Sequence, residues 1–163
     1  STTCHLVDFM ASFKNLTVIT SNLDIILRAT SMENINLLVC SGELNRKNNS
    51  LSPVTGMDVL NHFNFSKAFM AASGVTLTDG FSHSYISERP LKQAVLEKAA
   101  QHYFIVDNSK FGVKALLNMG PLCLADAICT NQLPGPDYVE FCQNHNISLL
   151  TPDVKKQQIG NHE

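Results

Sequence analysis

The sequence predicts an α/β fold, a mainly parallel sheet with helices on both faces. Three observations carry this. Short apolar runs recur along the chain, most of them lacking the strict alternation of a half-exposed strand, as expected of strands buried in a parallel sheet. Helical patterns separate these runs, which is the order of βαβ units. Loops rich in Ser, Asn and Gly follow the runs, where a parallel sheet places its ligands.

Taken in order, Leu16–Thr20 (LTVIT) reads as a strand, and a Ser21-capped helix follows to about Thr30. Ile35–Ser41 (INLLVCS) is the next strand, and Asn45–Pro53 reads as a polar loop. Gly56–Asn64 is a short helix, and Lys67–Ser73 (KAFMAAS) a buried strand. The strongest helix is Ile86–Gln101, with Ser87 suited to the N-cap, Pro90 in the tolerated first turn, and an apolar face of Leu91, Val95 and Leu96. Tyr103–Asp107 and Asp126–Thr130 are strands, Asp137–Asn146 is a helix, and Ile147–Thr151 closes the pattern. No linker or repeat interrupts residues 1–151, so these read as one domain, followed by a polar tail over 152–163.

Composition excludes several functions. At 163 residues and 44% hydrophobic, the chain has material for its own core. Its formal charge is −2 and its basic residues are scattered, which argues against a nucleic-acid surface. No apolar run approaches the roughly 18–20 residues of a membrane span, and no signal peptide is expected, since the residues from Ser1 lack a charged leader and apolar segment. The five cysteines form no CxxC pair, so reduced and mostly buried thiols in a cytoplasmic protein are expected. Six histidines show no metal-ligand spacing, and no metal is expected. GxSxG, GxGxxG and GxxxxGK[ST] are all absent, and no cofactor is expected.

The polar clusters suit an anionic ligand. Thr20-Ser21-Asn22, Ser41-Gly42-Glu43, Ser73-Gly74 and Asp107-Asn108-Ser109-Lys110 each follow a strand, and Ser1-Thr2-Thr3 opens the chain as a hydroxyl-rich helix start. Backbone N–H groups at helix starts, with small hydroxyls beside them, accept phosphate well. Lys92 and Lys110 supply formal charge, and Glu88 or Asp107 could accept sugar hydroxyls. Any one loop alone reads better as an ordinary cap or turn, and only the joint pattern favours a ligand. Glu88 and Lys92 also read as a surface i,i+4 pair.

The run Val106–Gly112 (VDNSKFG) resembles the DSSKFG signature of the C-terminal sensor domain of DeoR-type bacterial transcriptional repressors. Other features follow in family order. Ser1-Thr2-Thr3 resembles the end of a GTTT-like helix start, Val18–Asn22 resembles VVTNS, and Ser41–Leu44 resembles GGxLR. Phe65–Phe69 resembles FDKAF, Ala72-Ser73-Gly74 stands in place of GxDG, Glu88 and Lys92 keep an E-x-x-x-K spacing, and Asp126–Thr130 matches DxLIT. The resemblance covers about residues 1–151.

It implies a ribose-5-phosphate isomerase-like fold, shared with glucosamine-6-phosphate deaminase and the CoA transferases, used to sense rather than to catalyse. The implied effector is a phosphorylated sugar, with Ser1, Thr2, Thr3, Ser21, Asn22, Ser41, Gly42, Ser73, Glu88, Lys92, Asp107 and Lys110 as its contacts. The implied state is a homo-oligomer that meets operator DNA only through an N-terminal winged helix-turn-helix. That module, and the strand before the first motif, are expected to be absent because the chain begins inside the motif. Ser41, the Ser21-Asn22 order and Ser73 depart from the family pattern and bear on which sugar is bound. The Cys40–Glu43 and Ala71–Val75 stretches resemble most the deoxyribonucleoside-responsive members, whose effector is deoxyribose 5-phosphate. A phosphosugar isomerase or deaminase of the same fold is the alternative, and a pure dimerisation domain is a further one.

Overall fold

The computed structural model describes residues 2–53 and 57–152, and in it the chain divides into two compact units, Ser1–His62 and Phe63–Glu163. In the first, a 3-10 turn over Thr2–Leu6 leads into α1 (Val7–Met10). Strand β1 (Leu16–Thr20) joins β2 (Ile35–Val39) through α2 (Leu23–Ala29), and the strands pair in parallel with Thr20 opposite Val39. Parallel neighbours need such a crossover, and the helix supplies it. Helix α2 buries Ile25 and Ala29, one turn apart on the same face. Its Arg28 pairs with Asp8 and donates to the Cys4 carbonyl at 2.9 Å, fastening the N-terminal turn to the last turn of α2.

Three expectations change here. Asn22 caps α2, not Ser21: the Asn22 side chain accepts from the Ile25 N–H at 3.0 Å. Asn45–Pro53 is largely a hairpin, β3 (Glu43–Asn45) against β4 (Ser50–Ser52), turning through Asn49 at φ 51°. Its buried positions include Ser50 and Ser52, so no apolar alternation marks it in the sequence. A 3-10 turn, Met57–His62, occupies most of the helix expected at 56–64; Gly56 lies outside the described residues.

The second unit contains β5 (Phe65–Met70), β6 (Gly74–Thr76), β7 (Gly80–His83), α3 (Arg89–Lys98), β8 (Ala99–Ile105), β9 (Leu117–Gly120), β10 (Ala127–Cys129), α4 (Pro136–Asn144) and β11 (Ser148–Leu150). A four-stranded sheet runs β11-β10-β8-β5, parallel throughout, and β6-β7-β9 form an antiparallel sheet. The α/β class with a mainly parallel sheet is therefore the one observed. The core joins alternate residues of the parallel strands (Ala68, Met70, Phe104, Ile128) to Val75 and Phe81 of the antiparallel sheet. Val95 and Leu96 of α3, and Cys142 of α4, pack against it.

Strand β5 begins two residues before the expected position and ends three earlier, and it alternates: Ala68 and Met70 are buried while Lys67 and Phe69 are exposed. Phe69 stacks on its cross-strand partner Tyr103 at 5.1 Å, with the Lys67 ammonium 5.7 Å from the Tyr103 ring centre. The helix expected over 86–101 is a 3-10 turn, Ile86–Glu88, followed by α3. Pro90 sits at the start of α3, but Glu88 holds the cap position and no side chain caps it, so Ser87 is not the N-cap. Residues 99–101 belong to β8, because pairing of Ala99 with Phe65 and Gln101 with Lys67 overrides their helical propensity. The cysteines are free, but only Cys142 is buried, so mostly buried thiols are not what the fold provides. Burial raises the Cys40, Cys129 and Cys142 thiols above the ordinary range.

Candidate effector site

In the first unit, two loops leave the carboxyl ends of β1 and β2 side by side, since Thr20 lies opposite Val39 and the Cys40 N–H donates to the Thr20 carbonyl at 2.9 Å. Ser21 and Asn22 occupy one loop, Ser41 and Gly42 the other. The first is braced by the hairpin: the Leu51 N–H donates to the Ser21 carbonyl and the Leu23 N–H to the Asn49 carbonyl, both at 2.8 Å. The Asn22 N–H donates to the Thr20 hydroxyl at 3.1 Å, so the Thr20 side chain shapes the turn. Gly42 approaches the hairpin so closely that a Cβ there would lie 1.9 Å from the Ser52 carbonyl oxygen. That glycine is required sterically, whatever it also offers a ligand. Thr2 and Thr3 begin the N-terminal 3-10 turn, whose Cys4 is tied near the end of α2 remote from Asn22. Ser1 lies outside the described residues.

In the second unit the carboxyl ends of β5, β8 and β10 point the same way. Ser73 follows β5, and its N–H donates to the Ser82 carbonyl at 2.8 Å. Asp107 follows β8 and caps the 3-10 turn Asn108–Lys110, its side chain accepting from the Ser109 N–H at 2.9 Å. Hydrogen bonds from the Ser109 side chain and backbone, more than the nearby Lys110 charge, hold the Asp107 carboxyl below the usual carboxylate range. Lys110 is half-buried and donates its N–H to the Asp107 carbonyl at 2.9 Å. Past it, the Gly112 N–H donates to the Val75 carbonyl at 2.8 Å, which sets this loop beside the Ser73–Val75 segment. Glu88 and Lys92 form an ion pair of 2.8 Å at the start of α3, their side chains only 13% and 20% exposed. The pair is therefore half-buried, unlike an ordinary surface i,i+4 pair.

Sequence reasoning missed four residues. Asn131 and Gln132 follow β10: the Asn108 N–H donates to Asn131 Oδ1 and Asn108 Nδ2 to Gln132 Oε1, both at 2.7 Å. Their position just past the DxLIT-like run was the available signal. Tyr138 on α4 accepts from the Gly112 N–H at 3.0 Å and donates to the Val75 carbonyl at 3.1 Å. His83, at the end of β7, is buried; a search of histidines for metal spacing alone does not find it. Among the described residues no helix is long and apolar enough to cross a membrane.

Comparison with known proteins follows the same line. The family model for the DeoR C-terminal sensor domain matches residues 1–132. The chain is 36% identical over 149 residues to the HTH-type transcriptional regulator IolR of Bacillus subtilis, covering 91% of this chain and 59% of that protein. It is 27% identical over 150 residues to the deoxyribose operon repressor of Escherichia coli, covering 92% and 60%. It is 24% identical over 140 residues to the glycerol-3-phosphate regulon repressor of the same bacterium, covering 86% and 56%. The chain thus spans somewhat over half the length of these relatives, all named as transcriptional regulators or repressors.

Proposed function

The chain belongs to the DeoR C-terminal sensor domain family, and on that premise we propose that it binds a phosphorylated sugar and so controls operator binding by a DNA-binding region outside this sequence. The observation that carries this reading is the half-buried Glu88–Lys92 pair, in the unit where Lys110 stands in a capped loop at the carboxyl edge of a parallel sheet. Two lysines answer a phosphate, while Glu88 and the Asp107 carboxylate answer hydroxyls. Ser73, Glu88, Lys92, Asp107 and Lys110 are the proposed contacts in the second unit. Ser21, Asn22, Ser41 and Gly42 are those in the first, and Ser1, Thr2 and Thr3 are carried by the resemblance. Deoxyribose 5-phosphate is one proposed effector, supported by the relative named for the deoxyribose operon. A cytoplasmic homo-oligomer is part of the same proposal.

Sensing is favoured over isomerisation by how the carboxylates are held. A general base needs a carboxylate poised at the sugar carbon. Glu88 is engaged by Lys92, and Asp107 holds the backbone of its own turn. Thermal-shift screening of phosphorylated pentoses and hexoses tests the reading: a ligand at about 100 times its Kd stabilises by roughly 2.7 kcal/mol. A rise with an unphosphorylated sugar and none with any phosphosugar overturns it.

A further inference from the structure

His83 is 1% exposed, and its Nδ1 has no hydrogen-bond partner among the described residues. Buried polar atoms are nearly always satisfied, so an orphan of this kind calls for a reason. Its surroundings supply one. Gly74 pairs with Ser82 across the β6–β7 ladder and the Ser73 N–H donates to the Ser82 carbonyl at 2.8 Å, so Ser73 lies beside the strand end that carries His83. Glu88, Arg89 and Lys92, at the start of α3 a few residues further on, lie close enough for their charges to act on the ring. His83 therefore has both the Ser73 segment and the Glu88–Lys92 pair in its neighbourhood, two features that the sequence offers separately.

We propose that His83 Nδ1 hydrogen-bonds a sugar hydroxyl of the effector, beside Ser73, while the lysines take the phosphate. This rests on the phosphosugar reading above. Burial first, and then the Lys92 and Arg89 cations, push the imidazole below its ordinary pKa, against the raising effects of Glu88 and the Tyr85 backbone. The ring is neutral at pH 7 as a result. A neutral imidazole offers one donor and one acceptor, which suits a hydroxyl, itself both, better than an anion. Nδ1 is closed to solvent, so the contact forms as a neighbouring side chain shifts.

The test is calorimetric titration of wild type, His83→Leu, His83→Asn and Lys92→Met with ribose 5-phosphate, deoxyribose 5-phosphate, glucose 6-phosphate and inorganic phosphate, beside melting curves without additions. His83→Leu should melt a few degrees higher, because the orphan is gone, yet bind the phosphosugar at least tenfold more weakly with phosphate affinity unchanged. His83→Asn, whose amide lies near the position of Nδ1, should recover most of that affinity; it also serves if the leucine variant fails to fold. Wild-type sugar affinity in His83→Leu, with loss in Lys92→Met, overturns the His83 contact and leaves the phosphosugar reading standing. Equal loss of sugar and phosphate in His83→Leu overturns the hydroxyl assignment. No binding of any sugar phosphate by wild type overturns both.

Discussion

Phe81 and Phe104 stack almost parallel, ring centres 3.5 Å apart and planes at 3°, and neither side chain is exposed. One belongs to the antiparallel sheet and the other to the centre of the parallel sheet, so the contact joins the two sheets of the second unit. Ser82 and His83 directly follow Phe81, and Asp107 lies three residues past Phe104. The stack thus underpins both halves of the second unit's polar cluster. Phe104→Ala should destabilise by about 3–5 kcal/mol through lost burial and the cavity left behind. Urea unfolding measures it; a loss below about 1 kcal/mol would show that the sheets hold together without the pair.

Lys110→Met separates a ligand contact from a solvated lysine. A charge-assisted bond is worth roughly 1.5–3 kcal/mol, or about ten- to more than a hundredfold in affinity. Phosphosugar binding should weaken at least tenfold while stability moves by no more than about 0.5 kcal/mol. Wild-type affinity in the mutant would return Lys110 to the surface.

Gly42→Ala probes steric need at a residue also proposed as a ligand contact. The added methyl meets the Ser52 carbonyl and the Pro53 Cα, both backbone. Displacing them should cost about 1–3 kcal/mol, read by chemical denaturation in the absence of any sugar. If stability is unchanged and only effector affinity falls, the glycine serves the ligand alone.

The pH dependence follows from His83. Its imidazole is depressed in the folded chain by burial and by the cations of Lys92 and Arg89, so the unfolded chain takes up a proton more readily. Stability from this group is present above the ordinary histidine pKa of about 6.5 and is lost as pH falls below it. Melting temperature should drop between pH 7 and pH 5, and the drop should shrink in His83→Leu. An unchanged slope in that variant would show that other groups titrate instead.

How far the sequence carries the fold depends on what each strand buries. The run LTVIT predicts β1 residue for residue, because a parallel strand announces itself as a continuous apolar block. The hairpin β3–β4 buries serines, and β7 buries Ser82 and His83, so neither has an apolar signature. The limits of α3 and β8 are set by pairing with β5, a long-range effect that Ala99 and Ala100 do not encode locally. The site divides the same way. Asp107, Lys110, Glu88 and Lys92 are legible as motif residues. His83 is not, because the proposal for it rests on its burial and on a missing hydrogen bond, which no local motif encodes.

The Asp107–Gly112 segment is fastened at both ends, by Asp107 and Asn131 at the start and by Val75 and Tyr138 at the finish. Freezing a loose backbone costs about 1–2 kcal/mol per residue, and here folding has already done it. A metabolite that engages Lys110 then needs to still only one side chain. Little of its affinity is consumed in making order, so even a small, weakly held sugar phosphate retains free energy to shift a distant equilibrium. On the proposed reading, stiffness in this loop would make the chain a responsive gauge of concentration.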